Sequence, residues 1–259
     1  AADSVLAARG LGVVDPGRVA YVTGTSTVIL GIAPRVVLDP GHRFLVTPLE
    51  RPGPVGLEMD LVATGSAIGW LARLFGYPDG TEGEVWRLAG ELPPGAAGIT
   101  FLPYLGGGEQ GALWDPELRG SLLGLTLAHD RRALARALLD GLVLESVRCL
   151  AVLEEVSGSA DELVATGAGV GSSSMVRSLA NASGRRVRWP SDPAHPASAW
   201  GAATLALEAI GRDRSAAPDL AEGVGADPAA RAAWDAAFER HEAARRAIVA
   251  ARGASIAAR

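Results

Sequence analysis

The sequence predicts a single α/β domain, from β-rich and helical segments that alternate irregularly with no internal repeat. Three observations carry the prediction. Residues 18–33 hold two β-rich runs joined by a Gly-Thr-Ser-Thr turn, the pattern of a hairpin. Residues 131–156 are apolar nearly all round, the mark of a helix at the centre of a fold. Residues 162–167, Glu-Leu-Val-Ala-Thr-Gly, read as a strand that enters the glycine-rich turn Gly167-Ala168-Gly169-Val170-Gly171, with helical spacing after it.

The remaining elements follow in order. Residues 36–58 carry Pro and Gly at short intervals and read as further short strands and loops. Apolar residues at 61, 68, 71, 72 and 75 fall on one helical face. Residues 98–105 read as a buried strand running into a loop, and 121–127 as another strand. Asp130 is placed to cap the long helix. Residues 171–183 read as a helix, 185–189 as a short strand, and 197–210 as an Ala-rich helix in which Gly201 allows close packing. After a surface connection at 211–227, Asp227-Pro228 supplies an N-cap and a first-turn proline for a last helix that should stop near Gly253.

Composition narrows the function. A net charge of −5 argues against nucleic acid as a partner, because phosphate backbones select basic surfaces. The single cysteine, Cys149, excludes an internal disulfide framework and suits the reducing cytoplasm, and its place in the apolar helix reads as core. No apolar run approaches the length of a membrane span. All 24 basic residues are arginine. That excludes a Walker A lysine, a protein-kinase strand lysine and a pyridoxal Schiff base. His42, His129, His195 and His241 lack paired metal spacing and read as structural or solvated.

The turn at 167–171 leaves several readings open. A dinucleotide fingerprint wants Gly-x-Gly-x-x-Gly and an acidic residue about 20 positions on. Here the third glycine comes one position early, and Arg185, Arg186 and Arg188 follow, which an NADP site could use. A strand-to-helix turn with no ligand is an equal competitor.

Other segments add a resemblance. Asp3 precedes Gly10 by seven residues, and Gly24-Thr25-Ser26 follows as a phosphate-type turn. Residues 101–141 contain Phe101-Leu102-Pro103-Tyr104-Leu105, Trp114-Asp115-Pro116, Arg119-Gly120, Gly124-Leu125-Thr126 and His129. With the 165–187 segment and Ser198-Ala199-Trp200-Gly201-Ala202-Ala203, these blocks resemble the C-terminal half of FGGY-family carbohydrate kinases over residues 1–250. The sequence departs from the family at Ala168, where a glycine is usual, at Gln110, where an arginine is usual, and by one extra glycine in the loop 106–108. Glu109 in that loop reads as organising the backbone.

The resemblance implies a ribonuclease-H-like, actin-like ATPase domain, a mixed sheet with helices on both faces. It implies ATP with Mg²⁺, and phosphorylation of a sugar hydroxyl on a xylulose-like substrate. Asp3 would be the catalytic carboxylate that takes or orients the hydroxyl proton, as phosphoryl transfer to an alcohol requires. Gly24, Thr25 and Ser26 would hold the transferring phosphate, and Gly167, Ala168, Gly169 and Ser172 the adenosine. A separate N-terminal domain would supply most sugar contacts, and a homodimer is a further expectation. The three segments should then meet on one face, with Asp3 and Thr25 closer to each other than either is to Ser172. A non-catalytic nucleotide-binding module of the actin-like superfamily would keep the glycine turns without needing Asp3. An NADP oxidoreductase would need a fully parallel sheet around residue 167.

Overall fold

In the computed structural model, which describes residues 2–106, 114–192, 194–212 and 217–257, the segment 18–33 folds as the expected hairpin. Its strands are β1 (Arg18–Thr23) and β2 (Thr27–Ala33), antiparallel, with Thr23 opposite Thr27. The 36–58 region supplies β3 (Leu45–Pro48) and β4 (Val55–Leu61). With β7 (Glu162–Gly167) and β8 (Arg186–Arg188) they make a six-stranded sheet in the order β3-β4-β2-β1-β7-β8. The β1–β7 and β7–β8 pairs are parallel, while β1–β2, β2–β4 and β3–β4 are antiparallel. This mixed sheet is not the parallel one an NADP oxidoreductase would need. A second, two-stranded sheet pairs β5 (Thr100–Leu102) with β6 (Ser121–Leu123). The strand expected over 121–127 is confined to its first three residues, and Leu125 and Leu127 beyond it are exposed.

Side-chain alternation sends the two halves of each central strand to different cores. Val19 and Tyr21 of β1 join Ile29, Leu57, Met59, Leu163 and Ala165 on one face. That face is covered by α2 (Gly65–Leu74), α3 (Gly83–Gly90), α4 (Arg131–Ser157) and α5 (Ser173–Ser183). Ala20, Leu30, Ile32 and Val164 face the other way, onto α1 (Asp3–Gly10) and α6 (Ala197–Ala209). Asp130 caps α4 as expected, its carboxylate accepting from the amides of Arg132 and Ala133. Cys149 is fully buried in that helix.

The short α1 has no periodic signal of its own, and α3 was likewise not legible. Packing against α6 stabilises α1: a Cβ on Gly201 would lie 1.9 Å from the carbonyl oxygen of Leu6, so the two backbones touch. The last helix, α7 (Arg231–Ala257), is preceded by a 3₁₀ turn at Pro228–Ala230 capped by Asp227. It continues through Gly253 instead of stopping there, because a single glycine costs a helix only about 1 kcal/mol.

Three of the four histidines have structural side-chain partners. His129 Nδ1 accepts from the amide of Thr126 just before α4. His195 donates to the carbonyl of Gly10, and His241 donates to Glu145. Among the described residues no three His, Cys, Asp or Glu side chains converge as a metal cluster, and no helix is long and apolar enough to cross a membrane.

Candidate functional site

The strand directions bring three chain segments to one edge of the sheet. β4 and β7 both run parallel to β1, so their C-terminal ends lie together. Register places Thr23 beside Gly167 on one side and beside Thr27, itself beside Leu61, on the other. The Gly24-Thr25-Ser26 turn, the 167–171 turn and the start of α2 therefore leave from the same edge. Such an edge is where open α/β sheets hold ligands.

The turns open into one groove of about 320 Å³, lined by Thr23, Gly24, Thr25, Thr27, Thr64, Gly65, Ile68, Glu82, Trp86, Leu142, Ala168, Gly169 and Met175. Its lining is of two kinds. Small and hydroxylated residues gather around Gly24, where Thr64 and Gly65 bond the Gly24-Thr25 turn. Ile68, Trp86, Leu142 and Met175 add apolar surface from the covering helices. Glu82 is the single ionisable side chain among these residues, and among the described residues no cation lines the groove.

Local chemistry explains the shape. Gly167 has φ +100°, and a Cβ there would stand 1.7 Å from the carbonyl oxygen of Thr23. Only glycine fits at that crossing of β7 and β1. The first turn of α2 has no side-chain cap; its amides are satisfied by the neighbouring turn. Gly65 donates to the carbonyl of Gly24 at 3.1 Å, and Thr64 and Ser66 both donate to the carbonyl of Thr25 at 3.1 Å. The positive end of the α2 dipole thus rests on the Gly24-Thr25 turn.

Each residue singled out in the sequence can now be located. Gly24 commits its own N–H to the carbonyl of Ser26 at 2.7 Å. Gly24 and Thr25 are both exposed and line the groove. Ser26 is half-buried beside them. Ala168 and Gly169 line the groove, whereas Gly167 faces a second cavity with Thr166, Trp189 and His195. Ser172 caps α5: its hydroxyl accepts from the amide of Met175 and bonds Ser174, whose hydroxyl donates to the carbonyl of Trp86. Its side chain is thereby committed to the helix start and does not line the groove. Asp3 is exposed at the first turn of α1, its carboxylate accepting from the amide of Ser4 at 2.9 Å and its carbonyl from Ser198. It lies outside the lining of the groove. Glu109, Gln110 and most of the 106–108 loop fall outside the described residues.

Sequence reasoning missed Thr64, Gly65, Glu82 and Trp86. The signal available was Thr64-Gly65-Ser66, a third small polar turn between a strand and a helix. Beneath it Tyr21 is wholly buried, and that burial pushes its phenol up to about 12.

Residues 19–210 match the model of the C-terminal domain of the FGGY family of carbohydrate kinases. The chain belongs to this family. The fold is similar to that of a xylulose kinase from Lactobacillus acidophilus, with a TM-score of 0.88 at 26% identity over 98% of this chain and 52% of that one. A xylulose kinase from Rhodospirillum rubrum gives a TM-score of 0.84 at 30% identity, covering 96% of this chain and 50% of that one. Among curated relatives, a gluconokinase of Bacillus subtilis (strain 168) is 28% identical over 178 residues, 64% of this chain and 34% of that protein. An Alkalilimnicola ehrlichii glycerol kinase is 29% identical over 241 residues, 91% of this chain and 45% of that protein. The FGGY chain thus has the actin-like ATPase fold, a mixed sheet with helices on both faces, and spans about half the length of the solved relatives.

Proposed function

We propose that this FGGY chain is the nucleotide-binding half of a two-domain kinase that moves the γ-phosphoryl group of ATP to a hydroxyl of a small sugar of the xylulose type. One observation carries the reading: the Gly24 and 167–171 turns share a groove whose small and hydroxylated residues suit phosphates and whose apolar residues suit a purine. Glu82 lines the same groove, and the phosphates have to lie away from it, because a carboxylate among phosphates would repel them. Gly24 gives a phosphate oxygen room to approach, Thr25 and Ser26 offer hydroxyl donors, and the α2 N-terminus adds a favourable field. Ala168 and Gly169 leave space for the nucleoside, and Gly167 and Ser172 fix the turn and helix that shape it. Asp3 accepts the proton of the attacking sugar hydroxyl as the new O–P bond forms and the bond from the γ-phosphorus to the β–γ bridging oxygen breaks, releasing ADP.

Among the described residues the groove has no cation, so the charge of the phosphates has to be met elsewhere. Mg²⁺ is held mainly by phosphates and waters with one or two carboxylates, so it fits here as a partner of ATP and not as a resident of a protein cage. The rest falls to an N-terminal domain closing over the same edge, which also supplies the sugar pocket.

The test is phosphorylation by the full-length, two-domain protein with Mg-ATP and a panel of pentuloses, gluconate and glycerol. One sugar should be clearly preferred, while residues 1–259 alone should phosphorylate none. Failure with every pentose, hexose and polyol would favour a non-catalytic nucleotide-binding module; turnover by the isolated chain would overturn the two-domain requirement. The departure at Ala168 gives a second check. Ala168→Gly removes one methyl from the groove and should leave turnover intact, with ATP affinity unchanged or up to a few-fold tighter. A many-fold loss of ATP affinity, read by titration, would show that the methyl packs on the purine.

A further inference from the structure

Tyr21, Thr27, Thr64 and Ser146 carry buried hydroxyls, and Thr27 and Thr64 line the groove. Ser146 of α4 donates its proton to the carbonyl of Leu142 at 2.8 Å. Its oxygen, 3.0 Å from the Tyr21 hydroxyl, must then be the acceptor of the Tyr21 proton. Thr27, 1% exposed, donates to the hydroxyl of Thr64 at 2.9 Å. Thr64 is itself only 5% exposed, yet it lines the groove beside Gly24, Thr25 and Gly65.

Each hydroxyl has one proton to give, and the count ends at Thr64. Its oxygen already accepts from Thr27, and among the described residues no acceptor takes its own proton. A buried hydroxyl donor without an acceptor costs roughly 1–3 kcal/mol, so the fold leaves a place here for an oxygen ligand. Thr64 is also the residue before α2, where the helix dipole favours an anion.

We propose that Thr64 is a phosphate-binding residue, its outward proton held in place by the Thr27 hydroxyl behind it. The inference rests on the nucleotide reading of the groove and adds to it a donor on the α2 side, facing the Thr25 hydroxyl. If the proton ran inward, from Thr64 to Thr27, Thr64 would show only lone pairs to the groove and would repel phosphate.

The test uses residues 1–259 and titrates ATP and adenosine, at constant Mg²⁺, by NMR shift perturbation or calorimetry. Thr64→Val keeps the shape and removes the donor. It should weaken ATP by roughly tenfold, the value of a hydrogen bond to a charged oxygen, and leave adenosine unchanged. Thr64→Ser keeps the hydroxyl and should restore ATP affinity to within about threefold of the unaltered chain. Should the valine variant not fold, Thr64→Ser and Thr64→Ala, compared on the same two ligands, make the same distinction. Equal weakening of ATP and adenosine, or no change in either, would overturn the proposal. Failure of the unaltered chain to bind either ligand would instead overturn the nucleotide reading itself.

Discussion

Replacement of Asp3 by Asn in the full-length, two-domain protein should lower kcat for sugar phosphorylation by roughly 10²–10⁴-fold, the usual contribution of a positioned general base. The amide keeps the size and the hydrogen bond from the Ser4 amide but cannot take a proton from the sugar hydroxyl. Asp3 lies outside the lining of the groove, so ATP affinity should stay within about twofold of the unaltered protein. The measurement pairs a coupled assay of ADP release with a separate ATP titration. A variant that keeps more than a tenth of the original kcat would remove Asp3 from the chemistry and leave the groove standing as a nucleotide site.

A second large effect is expected at Glu145, in the middle of α4. This carboxylate is fully buried and accepts from the Tyr104 hydroxyl at 2.7 Å, from His241 of α7 at 2.9 Å and from Arg148. It holds α4, α7 and the chain just after β5 together. Glu145→Ala would strand the Arg148 guanidinium, 8% exposed, without its main partner. Breaking such a buried pair costs roughly 3–5 kcal/mol, which in a domain of this size lowers Tm by roughly 10 °C. A calorimetric shift of only a degree or two would show that water or a neighbouring carboxylate replaces Glu145 without loss.

The same group gives a pH dependence. Burial alone would push the Glu145 carboxyl up. The Arg148 charge, together with the hydrogen bond from His241, outweighs it and holds the group at about 2, against an ordinary value of 4.5. A depressed carboxylate stabilises the fold fully above its unfolded value and loses that contribution as pH falls through the folded one. Tm should therefore decline between about pH 4.5 and pH 2. In Glu145→Gln, which cannot titrate, this decline should be shallower. Superimposable acid limbs for the two proteins would show that other carboxylates govern that range.

Much of the fold was legible in the sequence because its causes are local. The 18–33 hairpin follows from two β-rich runs and the turn between them, and α4 from a continuous apolar segment capped by Asp130. α1 and α3 were not legible, being only eight residues each, too short to form without tertiary packing. The backbone contact at Gly201 that stabilises α1 comes from a residue 191 positions after Gly10. Likewise, the last helix passes Gly253 because one weak local breaker does not decide where a long helix ends.

The candidate site divides in the same way. The glycine turns at 24 and 167, and the lack of any lysine, were set by composition and short motifs, and with them the exclusion of P-loop, protein-kinase and pyridoxal chemistry. The sequence also carried the family, through blocks spread along most of its length. Only the tertiary structure decided that β1, β4 and β7 end at one edge. That outcome depends on strand direction and register between separate segments, Thr23 beside Gly167 and Thr27 beside Leu61, which no local pattern encodes. It likewise decided that Thr64 joins Thr27 under the groove, and that Ser172 spends its hydroxyl on a helix cap. Local propensity writes turns and helices into a sequence, whereas a site assembled across a sheet exists only after long-range pairing has fixed which ends meet.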